Sequence, residues 1–159
     1  MKSNMPASSW KNPIHILAFG FGAGASPRAP GTMGTLVAVP IYMLLSELPV
    51  FVYVLIVLLV TGFGVYICDR CAKDLQVHDH SGIVWDEIAG YLITMIAIPM
   101  SIWTVCIGFA LFRLFDIWKP WPIGYFDRHV KGGLGIMLDD VVAGVLAWVI
   151  LYTLVNFVI

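Results

Sequence analysis

Five carboxylates stand where apolar stretches meet polar ones: Asp86-Glu87, Asp116 and Asp139-Asp140. An ionised Asp at the centre of a membrane helix costs about 2.5–3.5 kcal/mol to insert, and less near the ends. Gathered at one level, such groups also repel one another. Oxygen donors in this arrangement suit a hard divalent cation, and Mg²⁺ in particular keeps waters and shares phosphate oxygens. The arrangement points to a bound divalent cation. All five acids are candidate catalytic residues, with Glu87, Asp116, Asp139 and Asp140 as the candidate metal ligands. Asp139-Asp140 has a second reading, since acids at a helix start cap free N–H groups and favour the macrodipole. Capping does not extend to Asp116, which falls near the end of a helix, where an anion is disfavoured.

Two further patterns are suited to phosphate. Arg113, Asp116 and Lys119 recur every three residues and so line one side of a helix that Pro120 ends. A base beside a metal-binding acid serves phosphate handling. An Arg113–Asp116 ion pair with Lys119 snorkelling to lipid headgroups, between Trp118 and Trp121, fits the same spacing. The segment 26–34, Ser-Pro-Arg-Ala-Pro-Gly-Thr-Met-Gly, has no regular-structure pattern. Its glycines let backbone N–H groups approach a phosphate, and Ser26, Arg28 and Thr32 are its candidate ligands, with Thr32 the expected cap of the next helix. A structural turn is the competing reading, and no Walker sequence is present.

Other motifs carry less. His78-Asp79-His80 has a spacing possible for a metal, but histidines near acids are common at surfaces. Cys68-Asp-Arg-Cys71 lacks the second pair a zinc site needs, which leaves small apolar residues on a helix. No Cys-x₅-Arg run, no Asp-x-Asp pair and no serine nucleophile elbow occurs, so the corresponding covalent mechanisms are unsupported.

The elements that must position these residues are apolar. The chain is 60% hydrophobic, only 12% charged, and has a mean hydropathy of +0.89. A soluble domain is about 25% charged, so lipid is the expected solvent. A net charge of -1 argues against a nucleic-acid partner. Length fits one domain, 1–159, with 1–13 as a flexible N-terminus. Residues 14–25 imitate a secretory signal, but they hold His15 and three glycines and little leucine.

About six helices are expected, in a compact all-α membrane bundle with short loops. Residues 50–68 and 141–159 are charge-free and long enough to cross about 30 Å of hydrocarbon. Ser81 is the expected cap of a helix from Gly82, and Gly132-Gly-Leu-Gly135 a flexible joint before the last helix. Residues 88–112 are charge-free but interrupted by Pro99-Met-Ser101. As one kinked crossing they would put Arg113, Lys119, Arg128 and Lys131 outside, against the positive-inside rule; as two short helices turning at Pro99, they leave every Lys and Arg on one side, the cytoplasmic side. All Asp and Glu except Glu47 then fall at that side too.

Pro30-Gly-Thr-Met-Gly34, Val84-Trp-Asp-Glu-Ile-Ala-Gly90, Phe112-Arg-Leu-Phe-Asp-Ile-Trp-Lys-Pro120 and Gly135-Ile-Met-Leu-Asp-Asp-Val-Val-Ala-Gly144 occur in this order. Together they resemble the phosphatidylglycerophosphatase A family, over nearly the whole chain from Trp10. His78-Asp-His-Ser81 resembles the form in proteobacterial members. The resemblance implies an all-helical, Mg²⁺-dependent lipid phosphatase of the bacterial inner membrane. It would act on phosphatidylglycerophosphate, giving phosphatidylglycerol and inorganic phosphate, with its site facing the cytoplasm. Membrane lipid and that substrate are the expected partners.

Two other classes compete. A small cation or phosphate-linked transporter would spread its acids along a pathway rather than gather them at one interface. A structural membrane subunit gives no reason for Asp116 and Lys119. The topology predicts that cysteines introduced at Leu48 and Met100 lie on the side opposite Tyr125. Labelling of Tyr125→Cys from outside intact cells would contradict the double hairpin.

Overall fold

The computed structural model describes residues 5–77 and 80–157. Among these, seven α-helices and two 3-10 segments occur and no strand. The helices are α1 (Pro13–Ala18), α2 (Pro30–Leu45), α3 (Val50–Leu75), α4 (Trp85–Thr94), α5 (Ile102–Trp118), α6 (Ile123–His129) and α7 (Gly132–Phe157). The 3-10 segments, Ala7–Lys11 and Gly20–Ala25, flank α1. Near the N-terminus, Met5 and Ser9 are buried.

Several boundaries differ from expectation, each for a local reason. Pro30 opens α2, because proline has the φ of a first helical residue and no N–H to leave unpaired. Thr32 therefore lies inside the first turn and is not the cap. Ser81 does not cap α4, which starts at Trp85; before it, the Val84 N–H donates to the Ala18 carbonyl at 2.9 Å. The glycine run at 132–135 is no joint but the first turn of α7. A Cβ on Gly133 would meet the Val65 carbonyl oxygen at 2.0 Å, so only a glycine lets α7 lie this close to α3. Asp139 and Asp140 consequently sit two turns inside α7, whose first turn carries no acid. Capping cannot account for them. α6 went unanticipated because prolines and charges surround it.

The segment 88–112 is a hairpin. Tyr91 packs on Phe109, with ring centroids 6.3 Å apart, and Gly108 lies against Met95, so α4 and α5 run antiparallel. Ser101 caps α5 through a capping box with Thr104. α4 spans about 15 Å at 1.5 Å per residue, half of a hydrocarbon core. Its last carbonyls therefore end inside the bundle, where water cannot satisfy them. Side chains from three directions reach carbonyls here, one in α4 and two in the turn that follows it. Tyr53 donates to the Leu92 carbonyl at 2.8 Å, and Trp148 to Ile96 at 2.8 Å. Tyr42 donates to the Ile98 carbonyl at 2.9 Å.

α4 is the hub, packed between α2, α3, α5 and α7 and buried over most of its length. By contrast, only 22% of the most apolar window of α3 is buried. Phe51, Leu55, Leu58, Leu59 and Phe63 all face outward from it. A core helix of a water-soluble protein would be covered here. Exposed Trp103 lies near one end of α5, and exposed Trp118 and Trp121 near the other, as in the aromatic rims of membrane proteins. α3 and α7 are long and apolar enough to cross a bilayer. The protein is membrane-associated.

Close approach at the hub yields a prediction. A Cβ on Gly144 would lie 2.4 Å from the Gly90 carbonyl oxygen, whereas one on Gly62 meets nothing within 4 Å. Gly144→Ala should part α4 from α7 and cost about 1–3 kcal/mol. Gly62→Ala should be neutral or stabilising by about 0.5–1 kcal/mol. Thermal unfolding in detergent measures both, and equal midpoints would contradict this packing.

Candidate active site

The first turn of α2, the first turn of α4, the last turn of α5, α6 and the third turn of α7 meet at one end of the bundle. They enclose a cavity of about 310 Å³. Ala29 takes a left-handed conformation (φ 46°), which turns the chain sharply into Pro30 and brings Gly31 over the cavity. A Cβ on Gly31 would stand 2.1 Å from Glu87 Oε1, so the α2 backbone rests directly on the carboxylate.

Asp86, Glu87 and Asp140 can each offer one carboxylate oxygen to a common point, with these atoms all within 4.8 Å of one another. Asp140 is 2% exposed. Glu87 Oε2, Asp139 Oδ1 and Asp140 Oδ2 are buried and accept no hydrogen bond among the described residues. A carboxylate can only accept, so such atoms need a cation or a proton. An all-oxygen donor set with unsatisfied lone pairs fits a hard divalent ion such as Mg²⁺.

Two cations flank the trio. Arg113 pairs through Nη1 with Asp116, and the same nitrogen stands 3.8 Å from Glu87 Oε1. Its Nε is buried without an acceptor among the described residues, a donor left over for an anion. Lys119 ends α5 in a left-handed conformation (φ 46°), uncommon for a residue with a Cβ. That geometry lets its Nζ donate to Asp127 Oδ1 at 2.6 Å and Asp139 Oδ2 at 2.7 Å. Burial disfavours the ammonium, but these two hydrogen bonds outweigh it and hold the Lys119 pKa above the ordinary lysine range. Lys119 stays charged at any physiological pH.

Of the residues singled out from sequence, Asp86, Glu87, Arg113, Asp116, Lys119, Asp139 and Asp140 all line this cavity. The tight trio consists of Asp86, Glu87 and Asp140, while Asp116 and Asp139 are engaged by the two bases. Ser26, Arg28 and Thr32 do not line it; the Ser26 hydroxyl donates to the Arg28 carbonyl at 2.8 Å, and the segment reaches the cavity through Ala29, Pro30 and Gly31. His78 and Asp79 lie outside the described residues. His80 accepts the Gly82 N–H at 3.0 Å and is not in the lining. Cys68 and Cys71 are buried free thiols. Asp127 was missed by sequence reasoning. Its only signal was an acid within a helical turn of two bases.

Removing one acid from the trio should have two opposite effects. Without Mg²⁺, Asp140→Asn should unfold at a higher temperature than the parent, because repulsion is relieved while shape is kept. With Mg²⁺ at a hundredfold excess over Kd, the parent should gain about 2.7 kcal/mol and the variant far less. Thermal scans with Mg²⁺ or chelator check both, and an equal Mg²⁺ gain in the two proteins would exclude Asp140 as a ligand.

Comparison with known proteins places this cavity in a family context. A family model described as phosphatidylglycerophosphatase A matches residues 16–155. A phosphatidylglycerophosphatase A of Escherichia coli is 55% identical over 142 residues, covering 89% of this chain and 83% of that protein. One from Haemophilus influenzae is 44% identical over 158 residues, 97% of each chain. A Bacteroides thetaiotaomicron protein, provisionally named a phosphatidylinositol-3-phosphatase, is 38% identical over 144 residues, covering 86% of this chain and 89% of its own. No solved structure gives a significant match.

Proposed function

Because the chain belongs to the phosphatidylglycerophosphatase A family, we propose that it hydrolyses the terminal phosphomonoester of phosphatidylglycerophosphate to phosphatidylglycerol and inorganic phosphate. The observation that carries this reading is the cavity itself. It sets the Glu87, Asp139 and Asp140 carboxylate oxygens that have no hydrogen-bond partner among the described residues beside a buried Arg113 Nε that likewise has no acceptor there, at the polar end of an apolar bundle. Such a site takes a cation and a phosphate together.

Asp86, Glu87 and Asp140 would hold Mg²⁺, with Asp116 and Asp139 in the same acidic set. When bound, Mg²⁺ offsets charge on the phosphoryl oxygens and makes a coordinated water more acidic. Arg113 Nε donates to a phosphate oxygen, and Asp116 fixes the guanidinium through its other edge. Lys119 adds a permanent positive charge that grows in value as charge builds in the transition state. Asp139 has one oxygen held by Lys119 and the other without a hydrogen-bond partner among the described residues. That free oxygen would accept the proton of the attacking water. The water oxygen bonds to phosphorus, the bond from phosphorus to the glycerol oxygen breaks, and the leaving oxygen takes up a proton to become the alcohol.

The site is read as facing the cytoplasm of the inner membrane, since the Lys and Arg among the described residues stand in the helix ends and connections on its side. Transport is disfavoured because the acids cluster at that end instead of spreading along the bundle. The different headgroup in the name of the Bacteroides thetaiotaomicron relative makes headgroup selectivity a question for experiment.

Purified protein in mixed micelles with phosphatidylglycerophosphate should release phosphate, and chelation of Mg²⁺ should stop it. Ion translocation in sealed vesicles without phosphate release would support the transporter instead. Lys119→Ala, compared at equal folded yield, should lower turnover about ten- to hundredfold, the equivalent of one charge-assisted contact of about 1.5–3 kcal/mol. Turnover equal to the parent would place Lys119 among the merely structural residues.

A further inference from the structure

Lys119 forms a wall of two cavities. Besides the acidic one, it borders a groove of about 240 Å³ lined by Trp121, Gly124, Tyr125, Arg128 and His129. α6 divides them. Asp127 faces the first cavity and clasps Lys119, while the next two residues, Arg128 and His129, line the second. The groove has the opposite chemistry from its neighbour, for no carboxylate among the described residues lines it. Arg128 is exposed and makes no ion pair among the described residues, whereas Arg70, Lys73, Arg113 and Lys119 each have an acid partner. His129 stacks on Tyr125 with ring centroids 4.2 Å apart, and its Nδ1 donates to the Tyr125 carbonyl at 2.8 Å. The ring is thereby fixed, with Nε2 left for a ligand. Trp121, 83% exposed beside the groove, is of the residue type enriched at the level of lipid headgroups.

We propose that this groove binds the phosphodiester of the lipid headgroup while the terminal phosphate enters the acidic cavity, with Arg128 as the residue that determines headgroup selectivity. The inference rests on the phosphatase reading above. Phosphatidylglycerophosphate carries a phosphomonoester and a phosphodiester joined through one glycerol. A molecule of that kind needs two adjacent anion sites, one able to do chemistry and one only to bind. The two cavities on either side of Lys119 have that relation. Arg128 can present two parallel N–H donors to the two free oxygens of a diester. Phosphatidate has the monoester without the diester and gains nothing from Arg128. The same diester chemistry also belongs to neighbouring bilayer lipids, so the source must be distinguished.

The test is steady-state kinetics of the parent, Arg128→Ala and Arg128→Lys in nonionic detergent micelles and in anionic phospholipid vesicles. Phosphatidylglycerophosphate is the substrate, and phosphatidate is followed as a second substrate or as a competitor. Arg128→Ala should raise KM for phosphatidylglycerophosphate about ten- to hundredfold in micelles, with kcat nearly unchanged. Apparent affinity for phosphatidate should not change, and Arg128→Lys should recover part of the loss. Equal losses for both lipids, a loss seen only in anionic vesicles, or no loss at all would each overturn the assignment; the vesicle-only result would give Arg128 to bilayer lipid. A parent protein that releases no phosphate from phosphatidylglycerophosphate would overturn the phosphatase reading and this inference with it, a result separate from any change in selectivity.

Discussion

Repulsion among Asp86, Glu87 and Asp140 is the interaction around which the rest of the molecule is arranged. Their oxygens converge within 4.8 Å at the end of a bundle whose flank is apolar. Like charges at that spacing, shielded from water, are unfavourable unless something positive compensates them. The protein supplies part of the compensation itself. Arg113 and Lys119 sit at the rim, each already tied to an acid outside the trio. Arg113 also stands 3.8 Å from Glu87 Oε1, so the trio is partly compensated from within, and we propose that a cation supplies the rest.

Holding such a site requires a rigid frame, and the frame depends on a helix too short for the membrane. α4 brings Asp86 and Glu87 to the cavity in its first turn and then ends inside the bundle. Tyr42, Tyr53 and Trp148 make that ending tolerable by donating to the carbonyls at 92, 96 and 98. Glycine contacts set the spacing. Gly90 and Gly144 let α4 and α7 touch backbone to backbone, one turn from Asp140, and Gly31 lets α2 close over Glu87. The position of the acids thus follows from packing in the hub rather than from the loops around it.

Much of this was legible in the sequence because its strongest signals are matters of solvent. Charge-free runs at 50–68 and 141–159 call for helices, and the proline break at 99 reads as a hairpin once the bases are kept on one side. The acids and bases of the cavity other than Asp127 were legible too, since each stands at the edge of an apolar run. Less legible was the start of α7. A run with three glycines carries a weak helix signal, and only the contact of Gly133 with the α3 backbone makes it helical. The difference matters, because it moves Asp139 and Asp140 from a helix cap to a helix interior. Division of labour among the acids was also hidden. That Asp116 and Asp139 answer to bases while Asp86 joins the trio depends on side-chain directions that spacing does not encode. Asp127 and α6 escaped for a similar reason: prolines at 120 and 122 mask a turn of helix that tertiary contact with α7 sustains.

We propose that one divalent cation belongs to Asp86, Glu87 and Asp140. Mn²⁺ can stand in for Mg²⁺ and be counted by electron paramagnetic resonance on the purified protein. The account predicts one tight Mn²⁺ per chain, displaced by Mg²⁺, retained with reduced affinity in Asp139→Asn and lost in Asp140→Asn. Tight Mn²⁺ binding that survives unchanged in Asp140→Asn, at equal helix content, would contradict it.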